Sequence, residues 1–213
     1  MGDNKIQLLE EIPYCLIHIS KYSNIKKIYS SKEFIPSVHN PKNGKIQWLG
    51  NGVYCWDQND YTSRKIGVGL ARGKFFKSKI CGICVSIQIN DKNYLNLEEN
   101  IWANKYNEFL KKFQPDNYQK ICDYLEMIKQ QKKPDSHTLN LLGEIVGTTL
   151  NLFIKVLQEE YGYQIDMVSA YFYHERRDNV LLQRSEKIIQ QFCVRNLEIL
   201  NKSIENCKIV HIN

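Results

Sequence analysis

The sequence predicts an α+β fold, because strand-like segments occur near both ends of the chain and a helical block separates them. The chain has 213 residues, of which 43% are hydrophobic and 24% charged. That composition is typical of a folded globular protein long enough to bury a substantial core. The fold class therefore depends on the order of the elements along the chain.

The first part of the chain alternates strands and helices. Short apolar runs rich in β-branched residues predict strands, and apolar residues at three- and four-residue steps predict helices. Asn43-Gly44 and Asn51-Gly52 indicate turns, since both residue types tolerate the left-handed region. The predicted strands are 13–20, 53–56 and 80–89, and the predicted helices are 23–34 and 57–71.

The middle of the chain, 97–161, is helical by its apolar periodicity. Pro115 and Pro134 divide it into three segments, since the residue before a proline is disfavoured in a helix. The last part returns to apolar or alternating runs, and it predicts strands at 165–174, 190–196 and 207–212.

Charge and cysteine content indicate which partners and which cellular compartment are expected for the protein. The net charge of +6 permits an anionic partner, but the lysines are scattered, which favours a solvated surface. The seven cysteines are an odd number and most lie in apolar runs, so we expect reduced thiols in the cytoplasm. Cys81 and Cys84 form a C-x-x-C without a second pair, so no metal is predicted. No apolar run approaches the ~18 residues of a membrane span, so no span is expected, and no signal peptide is apparent.

Three short motifs occur in a particular order along the chain. His18 lies in an early strand and is followed by Ile19 and Ser20. The turn Gly50-Asn51-Gly52 precedes Val53-Tyr54 and a helix that carries Tyr61. Gln191 opens a late strand.

This order resembles the ADP-ribosyltransferase superfamily, in the branch related to diphtheria toxin and the poly(ADP-ribose) polymerases. The resemblance implies an ADP-ribosyltransferase-like split β-sandwich over 1–213, with a helical insertion at about 97–161. It also implies NAD as the substrate that donates ADP-ribose.

The resemblance assigns roles that the residues can fulfil physically. His18 would donate to a ribose hydroxyl through one ring nitrogen while the backbone holds the other, and Ser20 would add a hydroxyl bond. The main chain at Ile19 would pair with the nicotinamide carboxamide. Tyr54 would stack on the cationic nicotinamide, and Gly52 would let the backbone approach it.

Three further residues complete the expected site. Tyr61 is the candidate second ring, and Arg64 could meet the NAD diphosphate. Gln191 stands where the family usually has a glutamate, and a glutamine keeps the hydrogen bond but loses the negative charge. Glu186 could supply an acid instead, or the protein could bind a nucleotide without transferring anything.

The residues also have simpler explanations. His18 could be a core histidine, Tyr54 a core tyrosine and Arg64 a surface charge. An interaction protein built on the helical block stays open, as does an NAD-dependent RNA 2′-phosphotransferase of the same family.

The expected function is ADP-ribosyl transfer to a macromolecule, nucleic acid or protein. A compact cytoplasmic transferase would suit the toxin of a toxin–antitoxin pair or a phage-defence system, with an antitoxin protein as partner.

Overall fold

A computed structural model describes residues 11–130, 136–175 and 186–212 of the chain. The elements follow the order that the apolar patterns predict, with strands flanking a helical block. In chain order they are β1 (Glu11–Lys21), α1 (Tyr22–Ser31), β2 (Val53–Asp57), α2 (Tyr61–Lys74), β3 (Ile80–Asn90), β4 (Tyr94–Asn96), α3 (Asn100–Phe113), α4 (Pro115–Lys129), α5 (Ser136–Tyr161), β5 (Met167–Glu175), β6 (Glu186–Val194), α6 (Leu197–Ser203) and β7 (Lys208–His211).

The seven strands form one sheet in the order β4-β5-β6-β2-β1-β3-β7. All neighbours are antiparallel except β4 and β5, which run parallel. Strand β1 pairs with β3 along its whole length, from Glu11 to Lys21. Its ladder with β2 contains only two pairs, Leu16 with Asp57 and Ile17 with Trp56. The predicted α+β class is confirmed.

One face of the sheet, called here the first face, packs against α1 and α6. Because successive side chains in a strand point to opposite sides, alternate residues of each strand belong to this face. It forms one continuous apolar cluster. Representative members are Leu16, Ile25, Val53, Cys55, Ile83, Val85, Phe192, Val194 and Leu200.

The opposite face, called the second face, is covered in two separate parts. Over β1 and β3, helix α2 packs on a cluster that contains Ile17, Ile19 and Trp56. Over β4, β5 and β6, helices α3 and α5 pack on a cluster that contains Val168 and Cys193. The boundary between the two parts runs through β2, because Trp56 belongs to the α2 cluster and Tyr54 packs against the α3 and α5 cluster.

Sequence patterns placed most elements correctly and missed the short ones. Strand β4 and helix α6 were not predicted, because three and seven residues are too few to show a period. Helix α2 begins at Tyr61 rather than at residue 57, since Asp60 caps it by accepting from the backbone N–H groups of Thr62 and Ser63.

One expectation about apolar length is wrong. Helix α5 is long and apolar enough to cross a bilayer, with a mean hydropathy of 1.3 over its best window. That window is 44% buried inside the protein, and core helices of soluble proteins pass the same test. The finding is therefore weak support for a membrane span.

Candidate active site

The ladder between β1 and β2 stops just before His18, and this unpaired boundary is called here the seam. Beyond Ile17 and Trp56, no further backbone pairs join the two strands. Instead, Nδ1 of His18 lies 2.8 Å from the Tyr54 carbonyl oxygen. A carbonyl can only accept, so Nδ1 carries the proton. Ser37 forms the next bridge along β2, with Gly52.

His18 is held as a neutral imidazole. Burial lowers the pKa of His18, and Lys74 lowers it further, while the bond to the Tyr54 carbonyl opposes both effects. The ring meets Phe34 edge-on, with 5.8 Å between ring centroids. Nε2 makes no hydrogen bond with any residue the structure describes. Its lone pair can accept a hydrogen bond, whereas the sequence analysis expected this nitrogen to donate.

The glycine turn is shaped by its contacts with other protein segments. Gly52 has φ of 154°, and a Cβ there would lie 2.5 Å from Sγ of Cys193 and 2.7 Å from the Val194 carbonyl oxygen. Gly50 has φ of 73°, and a Cβ there would lie 2.3 Å from Oδ1 of Asn151. Both glycines are thus required by close packing on β6 and α5. The close neighbour of Gly52 is thus β6, whereas the sequence analysis expected a ligand there.

Tyr54 fastens the turn that precedes it. Its hydroxyl accepts from the Leu49 backbone N–H at 2.8 Å and donates to the Gly50 carbonyl at 2.9 Å. The ring packs with the α3 and α5 cover on the second face, and burial raises the pKa of Tyr54 well above its usual range. By strand alternation the His18 side chain belongs to the first face, so the two side chains do not face each other.

Gln191 lies on the strand next to Tyr54. Its Cα pairs with that of Trp56, so its side chain belongs to the second face. The amide is half-buried and makes no side-chain hydrogen bond within the described residues. Its neighbour Gln190 points to the other face and donates to Tyr94 and to Ser169.

Glu186 is the first residue of β6, with its Cα paired to that of Glu175. Its side chain lies outside the described part of the structure. The sequence hypothesis that it supplies an acid thus stays a prediction.

The first turns of α2 stand beside β6. The Ser63 hydroxyl donates to the Gln190 carbonyl at 3.4 Å. Tyr61 is 67% exposed, so its ring surface is available. Arg64 places its guanidinium carbon 6.0 Å from the Tyr61 ring centroid, and its Nε is buried without a hydrogen-bond partner.

The two residues after His18 are less available to a ligand. Ile19 is 8% exposed and packs with the α2 cover. Ser20 is 5% exposed, and its Oγ accepts from Asn24 at 3.1 Å. Their side chains would contact a bound molecule only after a local shift.

The structure thus divides the predicted residues between two faces. Tyr54 and Gln191 belong to the second face, and Tyr61 and Arg64 lie on α2, which covers part of that face. His18 and Ser20 belong to the first face. The link between the two sets is the bond from His18 to the Tyr54 carbonyl across the seam.

A cavity of about 380 Å³ opens at the far end of the glycine turn. Gly52 is the one predicted site residue that lines it. Sequence reasoning missed Arg195, which also lines the cavity; the one available signal was a charged residue directly after a buried strand. The lining residues are Pro36, Asn51, Gly52, Gln158, Gln164, Ile165, Asp166, Arg195, Asn196 and Leu197.

The described residues contain no group of three or more metal-ligating side chains. The nearest approach is Cys81 Sγ, which lies 3.6 Å from Nδ1 of His211 on β7. All seven cysteines are free thiols. Burial raises the pKa of Cys193 to about 12, which keeps that thiol protonated.

Comparison with known proteins gave no match of this chain to a family model, to a curated protein or to a solved structure.

Proposed function

We propose that this protein is an NAD-dependent ADP-ribosyltransferase that modifies a macromolecule, nucleic acid or protein. The observation that carries the proposal is the seam. The early histidine, the glycine-turn tyrosine and the late glutamine occupy the adjacent strands β1, β2 and β6, and His18 reaches the Tyr54 carbonyl where the ladder stops. This supports the motif order on which the family resemblance depends.

The ribose is assigned to the second face, where Tyr61, Arg64 and Gln191 lie. His18 belongs to the first face, so it is assigned a positioning role. Its Nδ1 is bonded to the Tyr54 carbonyl, which fixes the ring and the tautomer. That bond would hold β2 in place beside Gln191 of β6, the residue nearest to the sugar whose bond to nicotinamide must break.

The stacking ring is assigned to Tyr61 rather than Tyr54. Tyr54 uses its hydroxyl and much of its ring within the protein, whereas Tyr61 is 67% exposed. Nicotinamide in NAD is cationic, so an aromatic face gains an electrostatic contribution of about 0.5–2 kcal/mol. Arg64, beside Tyr61, has a buried unpartnered Nε that can donate to the diphosphate.

Breaking the glycosidic bond develops positive charge on the ribose, and the enzyme must stabilise that state more than the substrate. Gln191 offers an amide oxygen on the second face but no charge. A glutamine there favours slow transfer, and it is also the observation that favours a second candidate function, a nucleotide-binding module of the same fold without catalysis.

The deciding experiment follows nicotinamide release from labelled NAD, with and without cell extract, and detects ADP-ribose on protein and nucleic acid by mass spectrometry. The proposal expects release and a modified macromolecule. Measurable NAD binding without release would establish the binding module, and a flat calorimetric titration with NAD would reject both.

Variants test the assigned roles. Tyr61→Ala should weaken NAD binding by about 1–3 kcal/mol through lost stacking, whereas Tyr61→Phe should bind normally. Tyr29→Ala on α1, at a ring 41% exposed, is the matched control. Gln191→Glu should accelerate nicotinamide release, since it returns a negative charge to the developing cation. An unchanged or lower rate for Gln191→Glu would remove residue 191 from the mechanism.

A toxin role and an antitoxin partner remain part of the proposal. Expression in bacteria should slow growth, and Gln191→Ala should relieve the effect if transfer causes it. If the wild type and Gln191→Ala inhibited growth equally, ADP-ribosyl transfer would not be the cause of the inhibition.

A further inference from the structure

The cavity at the end of the glycine turn contains an arginine whose charge is not neutralised by a described residue. Arg195 directly follows β6, and its backbone N–H donates to the Asp166 carbonyl at 2.8 Å, which fixes its position. Its Nη1 donates to Oδ1 of Asn151 at 3.0 Å, a neutral acceptor. No ion pair joins Arg195 to any carboxylate in the described part of the chain.

The one carboxylate that lines the cavity is already occupied. Asp166 is 4% exposed, and its oxygens accept from the side-chain amides of three residues. The donors are Asn93 at 2.7 Å, Asn196 at 2.8 Å and Gln164 at 2.9 Å. Asp166 therefore stabilises the surrounding loops, and the guanidinium is left without a negative partner.

A guanidinium without a negative partner costs free energy here unless a ligand supplies the counter-charge. Burial lowers the pKa of Arg195, because removing a guanidinium from water without a counter-charge disfavours its charged form. An arginine presents five N–H donors in a planar fork, and a single bond to Asn151 leaves the others for a ligand. A carboxylate matches that fork with two parallel hydrogen bonds.

We propose that this pocket binds a small ligand bearing one carboxylate, because the guanidinium beside the polar cavity lacks a counter-charge. Arg195 would be the bidentate anchor. The cavity of about 380 Å³ suits a small molecule. Amide side chains of Asn51, Gln158 and Asn196 line it and can bond to polar groups in the rest of the ligand. The proposal is independent of NAD chemistry.

A single carboxylate is favoured over a phosphate by the charge balance of the pocket. With Arg195 and Asp166 both lining the cavity, a carboxylate adds one negative charge beside Asp166, whereas a phosphate dianion adds two. The glycine turn offers no phosphate cradle. Its N–H groups are bonded within the protein, from Gly50 to Gln47, from Asn51 to Asn151 and from Gly52 to Ser37.

The test is an NMR titration of the full chain that follows the Arg195 Nε–H resonance and, in every variant, the backbone amide resonances of the residues that line the cavity. N-acetylglycine is the probe, because it combines a carboxylate with an amide. N-methylacetamide is its neutral counterpart, and inorganic phosphate at equal ionic strength is the alternative anion. We expect saturable shifts with N-acetylglycine, little response to N-methylacetamide and weaker binding of phosphate.

Charge changes at the exposed rim avoid the risk of unfolding. Gln158 lines the cavity from α5 and is exposed. Gln158→Glu should weaken N-acetylglycine binding about threefold or more, and Gln158→Lys should tighten it by a similar factor, as expected for a partly exposed charge contact. Glu160→Gln raises the net charge by one on the same helix without lining the cavity, so it should leave the affinity unchanged.

Replacing the anchor gives the largest effect. Arg195→Gln should lower the affinity about tenfold or more, since charge-assisted bonds are the strong ones, and Arg195→Lys should fall between it and the wild type. Tighter binding of phosphate than of N-acetylglycine would overturn the carboxylate assignment. Absence of saturable shifts with either anion, or equal affinities for the two Gln158 variants, would overturn the site itself.

Discussion

Strand β1 meets its two neighbours in very different ways. With β3 it pairs over eleven residues, from Glu11 to Lys21, and with β2 over two. Between β1 and β3 the backbone groups hydrogen-bond to each other, and the side chains contribute only packing. Along the seam, side chains take over: His18 bonds the Tyr54 carbonyl, and the Tyr54 hydroxyl bonds the turn behind it. The seam therefore depends on the side chains of His18 and Tyr54, whereas the β1–β3 boundary depends on the backbone.

The largest effect is expected where the ladder is complete. Ile83 is fully buried on β3, with its Cα opposite that of His18 on β1. Ile83→Ala should lower the free energy of unfolding by about 2–5 kcal/mol, through lost burial and a residual cavity. Urea denaturation measures it. Ile35→Ala, at a side chain 65% exposed, should stay within about 0.5 kcal/mol. If Ile83→Ala and Ile35→Ala lost similar amounts of unfolding free energy, the β1–β3 pair would not be the stable scaffold of the sheet.

Tyr54→Phe should cost about 1–3 kcal/mol of stability, because the Leu49 N–H loses its acceptor and the Gly50 carbonyl its donor. The sequence analysis assigned a role only to the ring of Tyr54, as a stacking surface. Tyr61→Phe, which removes a hydroxyl from an exposed ring, is the matched control. If the two variants unfold at the same urea concentration, the Tyr54 hydroxyl does not hold the turn.

The strands around the seam could be predicted because each is a local apolar pattern of five to eleven residues. The seam itself could not. It depends on a bond between His18 and residue 54, thirty-six positions apart in the sequence. Local patterns do not encode where a ladder stops, since that is decided by the turn between residues 35 and 52 and by its packing on α5.

The sequence suggested residues for the candidate site but could not give the orientation of their side chains. The pattern G-x-G-V-Y correctly indicated a close backbone approach at Gly52, but the neighbours are Cys193 and Val194 of β6. Which face Tyr54 occupies follows from its register with β6, a long-range property. Arg195 was missed because one basic residue after a strand is ordinary until the loops that enclose it are known.

The seam also predicts how stability depends on pH. The pKa of His18 is lowered in the folded protein, while an unfolded histidine titrates near ~6.5. Below that pH the unfolded chain binds more protons, so the contribution of His18 is complete above ~6.5 and is lost as pH falls toward the folded pKa. The slope should be at most about 1.4 kcal/mol per pH unit.

Two variants separate the contribution of His18 from that of His39. His39 also has a lowered pKa, chiefly through burial, so it contributes with the same sign. Urea unfolding at pH 7.5, 6.5 and 5.5 should show a flatter dependence for His18→Gln than for the wild type, with His39→Gln measured beside it. An unchanged slope in His18→Gln would mean that this ring takes up its proton without unfolding the seam.

The smallest effect is expected on the helix that covers the seam. Gly69 of α2 is exposed, and a Cβ there would meet nothing within 4 Å. Gly69→Ala should therefore stabilise the protein by about 0.5–1 kcal/mol, since alanine loses less backbone entropy in a helix. Gly67, two residues earlier, is the contrast, because a Cβ there would lie 2.5 Å from the indole of Trp56. Gly67→Ala must displace the residue that ends the β1–β2 ladder, so it should destabilise the protein. Thermal or urea unfolding measures the change in stability of each variant. A stabilising Gly67→Ala would show that the packing of α2 on Trp56 does not support the seam.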